Sequence, residues 1–310
     1  ILSQNLKFKG ALNVGDELKG TVTATAKREK GHEIDFDCRV NNGKDDILSG
    51  TVTVQAPTKR ISLDNIDTPE VILRRNDELA KLIKKCEKIP PVICAVVHPC
   101  DRDSLLGPLE AASRGLITPV LVGPAGKIKA VADKEGVDIS AYRIVDTEHS
   151  HAAASQAVAM ARSGEVEAVM KGSLHTDEIM EAVVPSATGL RTARRISHVF
   201  VLDVPSYPRL LLITDAAINI APTARDQADI IQNAIDLAVV LGIEQPKVAI
   251  LAAVETVNLN MQATMDAAIL CKMADRGQIT GGILDGPLAF DNAVSLDAAR
   301  TKKILSPVAG

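Results

Sequence analysis

An α/β fold with mostly parallel sheets, preceded by a short antiparallel β fragment, is the class this sequence predicts, and three observations carry it. From Pro90 onward, short apolar runs alternate with helical patterns, which is how parallel strands joined by right-handed crossovers read. Before that, residues 21–26, 33–40 and 49–54 alternate apolar with polar, the period of half-buried antiparallel strands. Third, hydrophobic residues make up 46% of the chain, with four Phe, two Tyr and no Trp, so the core is aliphatic, as helix-covered parallel sheets usually are. At 310 residues, two or three domains are expected.

In chain order, Asn41-Asn42-Gly43 supplies the turn between the second and third strands, where positive φ is needed, and Lys27 to Gly31 is the looser connection before them. Such a meander buries one face only and needs a partner. Residues 57–67 read as a linker. Residues 70–87 read as an amphipathic helix stopped by Pro90-Pro91. Strands are expected at 92–97, 119–122, 142–145 and 166–170. Helices are expected from an Asp101 or Asp103 cap to Gly115, over 128–134 and over 151–162. Farther on, strands at 196–201, 210–213, 248–254 and 282–284 accompany helices at 224–241 and 261–275.

The net charge of −4 lacks the broad basic footprint of a nucleic-acid binder. Five cysteines without a Cys-x-x-Cys pair read as reduced, cytoplasmic thiols. No apolar run approaches the length of a membrane span. Neither a nucleic acid nor a membrane is an expected partner.

The stretch from Glu167 to Val201 organises the rest. Ala168-Val169-Met170 ends a strand, Lys171-Gly172-Ser173-Leu174-His175-Thr176 makes a polar turn, and Asp177 opens a helix. A βα turn of this kind binds ligands in open α/β sheets. Gly172 admits close backbone approach, and the helix start offers unpaired N–H groups. Lys171, Ser173, His175 and Thr176 add donors for an oxyanion, and Arg191, Arg194 and Arg195 add charge suited to phosphate. Lys171, the Gly172-Ser173 backbone and Arg191 fit phosphate; Ser173, His175 and Thr176 can serve the oxyanion or orient phosphate.

Four long stretches then carry a resemblance. They are Met170 to Thr176, Gly189 to His198, Thr214-Asp215-Ala216-Ala217-Ile218-Asn219-Ile220-Ala221-Pro222 and Asp285-Gly286-Pro287-Leu288-Ala289-Phe290-Asp291. They resemble the phosphate acetyl/butyryltransferases over about Pro90 to Gly310, and are most similar to the version fused behind an enoyl-CoA hydratase domain of the MaoC type. The resemblance implies a two-domain architecture shared with isocitrate and isopropylmalate dehydrogenases. The expected division is 1–57, a hot-dog-like β fragment; 58–89, linker and helix; 90–203, domain I; and 204–310, domain II. The implied activity is reversible transfer of an acetyl or short acyl group between coenzyme A and orthophosphate. Coenzyme A and phosphate are substrates there, without a prosthetic group or metal, and the protein is expected to form a homodimer.

Lys171, Ser173, His175, Asp215 and Asp285 are the expected catalytic set. Gly172, Thr176, Arg191, Arg194, Asn219, Asp291 and Ser306 are expected to bind substrate. The resemblance also implies an Asp base and a Ser-Arg pair in a final segment past Gly310, so truncation at both ends, an incomplete catalytic set and slow turnover are expected. No hydratase residues are found in 1–57. Duller readings stand beside these: Lys171 and Arg191 as solvated charges, Arg194 and Arg195 as ion-pair partners, Asp215 and Asn219 as turn and helix caps, and Asp285 and Asp291 likewise. His149-Ser150-His151 reads as a helix start more readily than as a metal site. A non-catalytic coenzyme A-binding module is one alternative. The other is a metal- and NAD-dependent decarboxylating dehydrogenase, which needs a Tyr-Lys pair that Tyr142 and Tyr207 do not supply.

Overall fold

The computed structural model describes residues 1–10, 17–28, 31–43, 45–57 and 78–310. These fall into two compact units, divided within the stretch 58–77. The expected linker at 58–67 and the first turns of the helix expected at 70–87 lie outside the described residues.

The first unit is one antiparallel sheet of four strands, β1 (Ser3–Phe8), β2 (Lys19–Arg28), β3 (Glu33–Asn41) and β4 (Asp46–Gln55), in the order β1-β4-β3-β2. The three strands read from the sequence are β2 to β4. The fourth, β1, pairs Ser3 with Thr53 through Phe8 with Leu48. Its sequence escaped notice because the strand is almost wholly exposed and carries little period-2 signal. At the β3–β4 turn, the Asn42 side chain accepts from the Asp45 N–H at 2.8 Å and Gly43 takes φ 85°. Tertiary pairing also demands Gly50, since a Cβ there would collide with the Asn5 carbonyl of β1.

The second unit opens with α1 (Glu78–Cys86) and then alternates strand with helix: β5 (Val92–Val97), α2 (Arg102–Ser113), β6 (Ile117–Gly123), α3 (Ala125–Glu135), β7 (Arg143–Asp146), α4 (Ser150–Ser163), β8 (Ala168–Lys171) and α5 (Thr176–Val183). All four strands are parallel, in the order β7-β6-β5-β8. Alternate residues of β5 face opposite layers, as a pleated strand requires. Ala95 and Val97 pack with Ala153, Ala154, Ala157 and Met160 of α4 and Ile179 of α5. Val96 packs on the other side with Leu105 of α2 and Ile128 and Ala132 of α3. Asp101, not Asp103, caps α2: its carboxylate accepts from the Ser104 N–H at 2.8 Å, while the Ser104 hydroxyl answers the Asp101 N–H at 3.2 Å.

Beyond these lie β9 (Val199–Leu202), β10 (Leu211–Thr214), α6 (Ala224–Val240), β11 (Lys247–Leu251), α7 (Gln262–Asp275), β12 (Ile283–Leu288), α8 (Phe290–Val294) and α9 (Leu296–Thr301). β11 and β12 are parallel, with α7 as their crossover. β9 and β10 form an antiparallel hairpin, because the eight residues 203–210 between them are too few for a parallel crossover. Ile231 and Ile235 of α6, Leu270 of α7 and Ile279 form the core here, joined by Val248, Ile250 and Leu284. The short helices α8 and α9 were not foreseen; they follow Asp285-Gly286-Pro287, which reads as punctuation. No described helix is long and apolar enough to cross a membrane.

Candidate active site

The strand order creates a specific place for chemistry. From β5 the chain moves outward to β6 and β7, then returns to lay β8 on the other side of β5. The loops after β5 and β8 therefore leave adjacent strand ends, Val97 beside Lys171, and lead into α2 and α5 on opposite faces. A crevice at such a switch point is where open α/β sheets bind ligands.

Backbone pairing across this crevice is dense. The Gly172 N–H donates to the Val97 carbonyl and the Ser173 N–H to the His98 carbonyl, both at 2.9 Å. The His98 Nδ1–H donates to the Ser173 carbonyl at 2.6 Å. A Cβ on Gly172 would overlap the Val97 oxygen and lie 2.9 Å from that of His98, so glycine is required by close packing. One expectation is thereby corrected. The Gly172 and Ser173 N–H groups are committed to the β5 side and are not available to an anion.

The donors that remain are those of the side chains and of the first turn of α5. Lys171 is exposed, and its ammonium reaches only the Gly172 carbonyl, at 3.4 Å. His175 is the N-cap of α5 without a side-chain cap bond, and Thr176 begins the helix; both are exposed. Against an anion stand Asp177 and Glu178 in the first turn. The Glu178 carboxyl is held below its usual range chiefly by the Ser150 hydroxyl against the effect of burial, with His151 and the His175 N–H assisting, although its buried Oε2 has no hydrogen-bond partner among the described residues. The Ser173 side chain lies near Asp101, whose carboxyl is held below its usual range first by the Ser104 N–H and hydroxyl and then by Ser173.

The arginines divide. Arg191 has no hydrogen-bonded or ionic side-chain partner among the described residues. It follows Leu190, whose N–H donates to the Val183 carbonyl at the far end of α5. That anchor lies one eight-residue helix, about 12 Å, from the Lys171 turn. Arg194 pairs with Asp236 at 2.5 Å and Asn233 at 3.3 Å. Arg195 pairs with Asp226 at 2.9 Å, also holds Asn219, and its N–H donates to Asp229. Both guanidinium groups staple the 191–198 segment to α6, as the ion-pair reading has it.

Asp215 and Asn219 form a second constellation. The Asp215 carboxylate accepts from the N–H groups of Ala217 and Ile218 at 3.0 Å and Asn219 at 3.2 Å, and from the Asn219 side chain. Burial pushes its pKa up, but these donors outweigh it and leave the carboxyl below its ordinary value. Asn219 also donates to the Ile196 carbonyl at 3.0 Å. Their side chains thus do what a turn anchor does. Both line a cavity of about 910 Å³ whose walls include β10, β11 and one face of α6; Lys171, Arg191 and Asp285 do not line it. Asp285 lies in β12 and accepts from the Gly286 N–H at 2.9 Å. Asp291 pairs with Lys302 at 3.0 Å, and the Ser306 hydroxyl accepts from the Val308 N–H at 3.3 Å. The expected set is distributed over these separate settings.

Among the described residues, no group of three or more His, Cys, Asp or Glu is placed to hold a metal ion. The His98-Pro99-Cys100-Asp101 loop lies on the Lys171 rim, through the bonds of His98 to Ser173. Its signal was there in the sequence: a polar loop after a buried strand, with a helix-capping Asp.

The family described as Phosphate acetyl/butaryl transferase matches residues 151–310. Curated relatives include the phosphate acetyltransferase of Rhizobium meliloti, 59% identical over 230 residues that span 74% of this chain and 73% of the relative. The phosphate butyryltransferase of Clostridium beijerinckii is 40% identical over 230 residues, spanning 74% and 76%. Among solved structures, a branched-chain phosphotransacylase from Enterococcus faecalis shares the fold, with a TM-score of 0.60 at 24% identity over 71% of this chain and 76% of that one. The chain belongs to the phosphate acetyl/butyryl transferase family.

Proposed function

We propose that this chain carries out reversible acyl transfer, acyl-CoA plus orthophosphate to acyl phosphate plus coenzyme A, with the crevice between the β5 and β8 loops as the phosphate end of the site. The observation that carries the placement is the switch-point crevice bordered by an exposed, nearly unpartnered Lys171 and the first turn of α5. In the forward direction a phosphate oxygen attacks the thioester carbonyl, the carbonyl oxygen becomes an oxyanion, and the C–S bond breaks to release the thiolate. Lys171 supplies positive charge to the phosphate, with His175 and Thr176 as adjoining donors. Ser173, beside Asp101, serves the oxyanion or orients the phosphate. Arg191 is free to meet a second anionic group, such as a phosphate of coenzyme A. Gly172 shapes the turn without donating. Arg194 and Asn219 position the segments that carry Arg191 and Asp215, while Asp285, Asp291 and Ser306 fix the surrounding loops through the bonds described.

The finer architecture belongs to the same proposal. A division near 203/204 into two α/β lobes, like those of isocitrate dehydrogenases, is supported by separate cores around β5 and around α6 and α7. The hot-dog-like reading of the first unit rests on the resemblance in sequence, its antiparallel sheet being common to many β folds. Five unpaired cysteines support a reducing, cytoplasmic setting. A homodimer is the expected assembly, to be measured by sedimentation.

The direct test follows thiol release from acetyl-CoA and butyryl-CoA with phosphate added, for the wild type and Lys171→Ala. Phosphate-dependent release is expected from one or both thioesters. Lys171→Ala should raise the phosphate KM about tenfold or more without lowering Tm, as loss of a charge-assisted contact does. Absence of phosphate-dependent release with both thioesters refutes the activity, and an unchanged KM refutes the placement.

A further inference from the structure

One residue grips Ser173 at both its backbone groups. The His98 carbonyl takes the Ser173 N–H at 2.9 Å and the His98 ring returns to the Ser173 carbonyl at 2.6 Å. Three residues on, Asp101 lies near the Ser173 side chain. A carbonyl oxygen can only accept, so Nδ1 carries the proton and the lone pair of a neutral ring sits on Nε2.

His98 achieves this from an unfavourable backbone. Its φ is 53°, in the left-handed region, and it precedes Pro99, which disfavours helical conformations in its neighbour. The conformation is enforced by the His98 N–H to the Val122 carbonyl at 2.6 Å and by Cys100, whose N–H donates to the His98 carbonyl at 2.8 Å. Gly123 makes the room, since a Cβ there would lie 3.2 Å from the His98 Cα. A non-glycine residue held in this region by its surroundings, facing a ligand crevice, is the kind of outlier that accompanies function. The sheet does not need the ring bond, because Val97 already pairs with Lys171 and accepts from the Gly172 N–H.

We infer that His98 is a positioning residue for phosphate: its ring and carbonyl together fix the Ser173 peptide, and with it the direction in which Lys171 and the start of α5 face the crevice. This rests on the reading of the Lys171 turn as the phosphate end of the site.

The test compares His98→Gly with His98→Asn. Glycine accepts the left-handed backbone without strain but removes the ring bond, and asparagine tolerates that backbone while placing an amide N–H near where Nδ1–H lies. The Gly variant should melt within a few degrees of wild type, relief of the left-handed strain offsetting the lost ring bond, and should raise the phosphate KM about tenfold with the acetyl-CoA KM unchanged. The Asn variant should recover to within about threefold of wild type. A Gly variant with wild-type phosphate KM, or an Asn variant no better than Gly, overturns the inference. Phosphate titration followed at the amides of residues 173–177 gives a readout that needs no turnover. Shifts lost in the Gly variant and regained in the Asn variant support positioning even if the wild type forms no acyl phosphate, a result that would refute the activity alone. No phosphate-dependent shift in any of the three proteins overturns both the placement and the role of His98.

Discussion

Substituting Gly172 by Ala tests the packing on which the crevice depends. The new methyl would overlap the Val97 carbonyl oxygen and stand 2.9 Å from the His98 oxygen, where an ordinary contact begins at 3.4 Å. Both neighbours are backbone, so no side chain can swing aside. The β5 and β8 loops must separate by about half an ångström or more. That movement stretches the Gly172 and Ser173 N–H bonds and the His98 ring bond together. Each contributes about 1 kcal/mol net, so the expected loss is about 2–3 kcal/mol. For a unit of this size the melting temperature should fall by about 4–12 °C. The turn is displaced as well, and a displacement approaching an ångström costs about 10²-fold in rate, so kcat/KM for phosphate should drop by a comparable factor. Differential scanning calorimetry and thiol release from acetyl-CoA measure the two effects. A variant with unchanged Tm and unchanged kcat/KM would show that the loops do not meet as described.

Asp215 gives a pH prediction. Its folded pKa is lowered, so it contributes stability that is fully present above the ordinary aspartate value near ~3.9 and is lost as pH falls through the folded value. Thermal melts from pH 6 downward should decline below that point, and Asp215→Asn should flatten part of the decline; an unaltered profile would contradict the anchoring role. Cys271 should resist alkylation at pH 8, since burial, followed by the nearby Asp285 and Asp275, pushes its thiol up to about 11. Peptide mass spectrometry after brief iodoacetamide treatment should find Cys38 modified well before Cys271, and the reverse order would refute the burial argument. Removing the staple by Arg195→Ala should raise the KM for coenzyme A more than that for phosphate, because it frees the segment carrying Arg191; equal effects on both would argue against separate anion sites.

The sequence by itself determined the regular elements of the second unit and the rim on which its chemistry sits. Apolar runs such as 92–97 and 166–170 read as strands, and β5 and β8 form within or across them with Ala95, Val96 and Val97 fully buried, while the parallel order places their C-terminal ends on one side. Gly172 was legible as a place of close approach, and Lys171 as a charge with no local reason to pair. Tertiary structure decided what each polar group does. A side chain's type does not specify its partner, and the partners here come from distant stretches. Asp236 and Asp226 lie in the sequence about forty and thirty residues from the arginines they hold, and His98 lies 75 residues from Ser173. The Gly172 and Ser173 N–H groups looked open in the sequence because a turn after a strand usually leaves them so. They are closed because β8 lies beside β5, a pairing that no local pattern encodes.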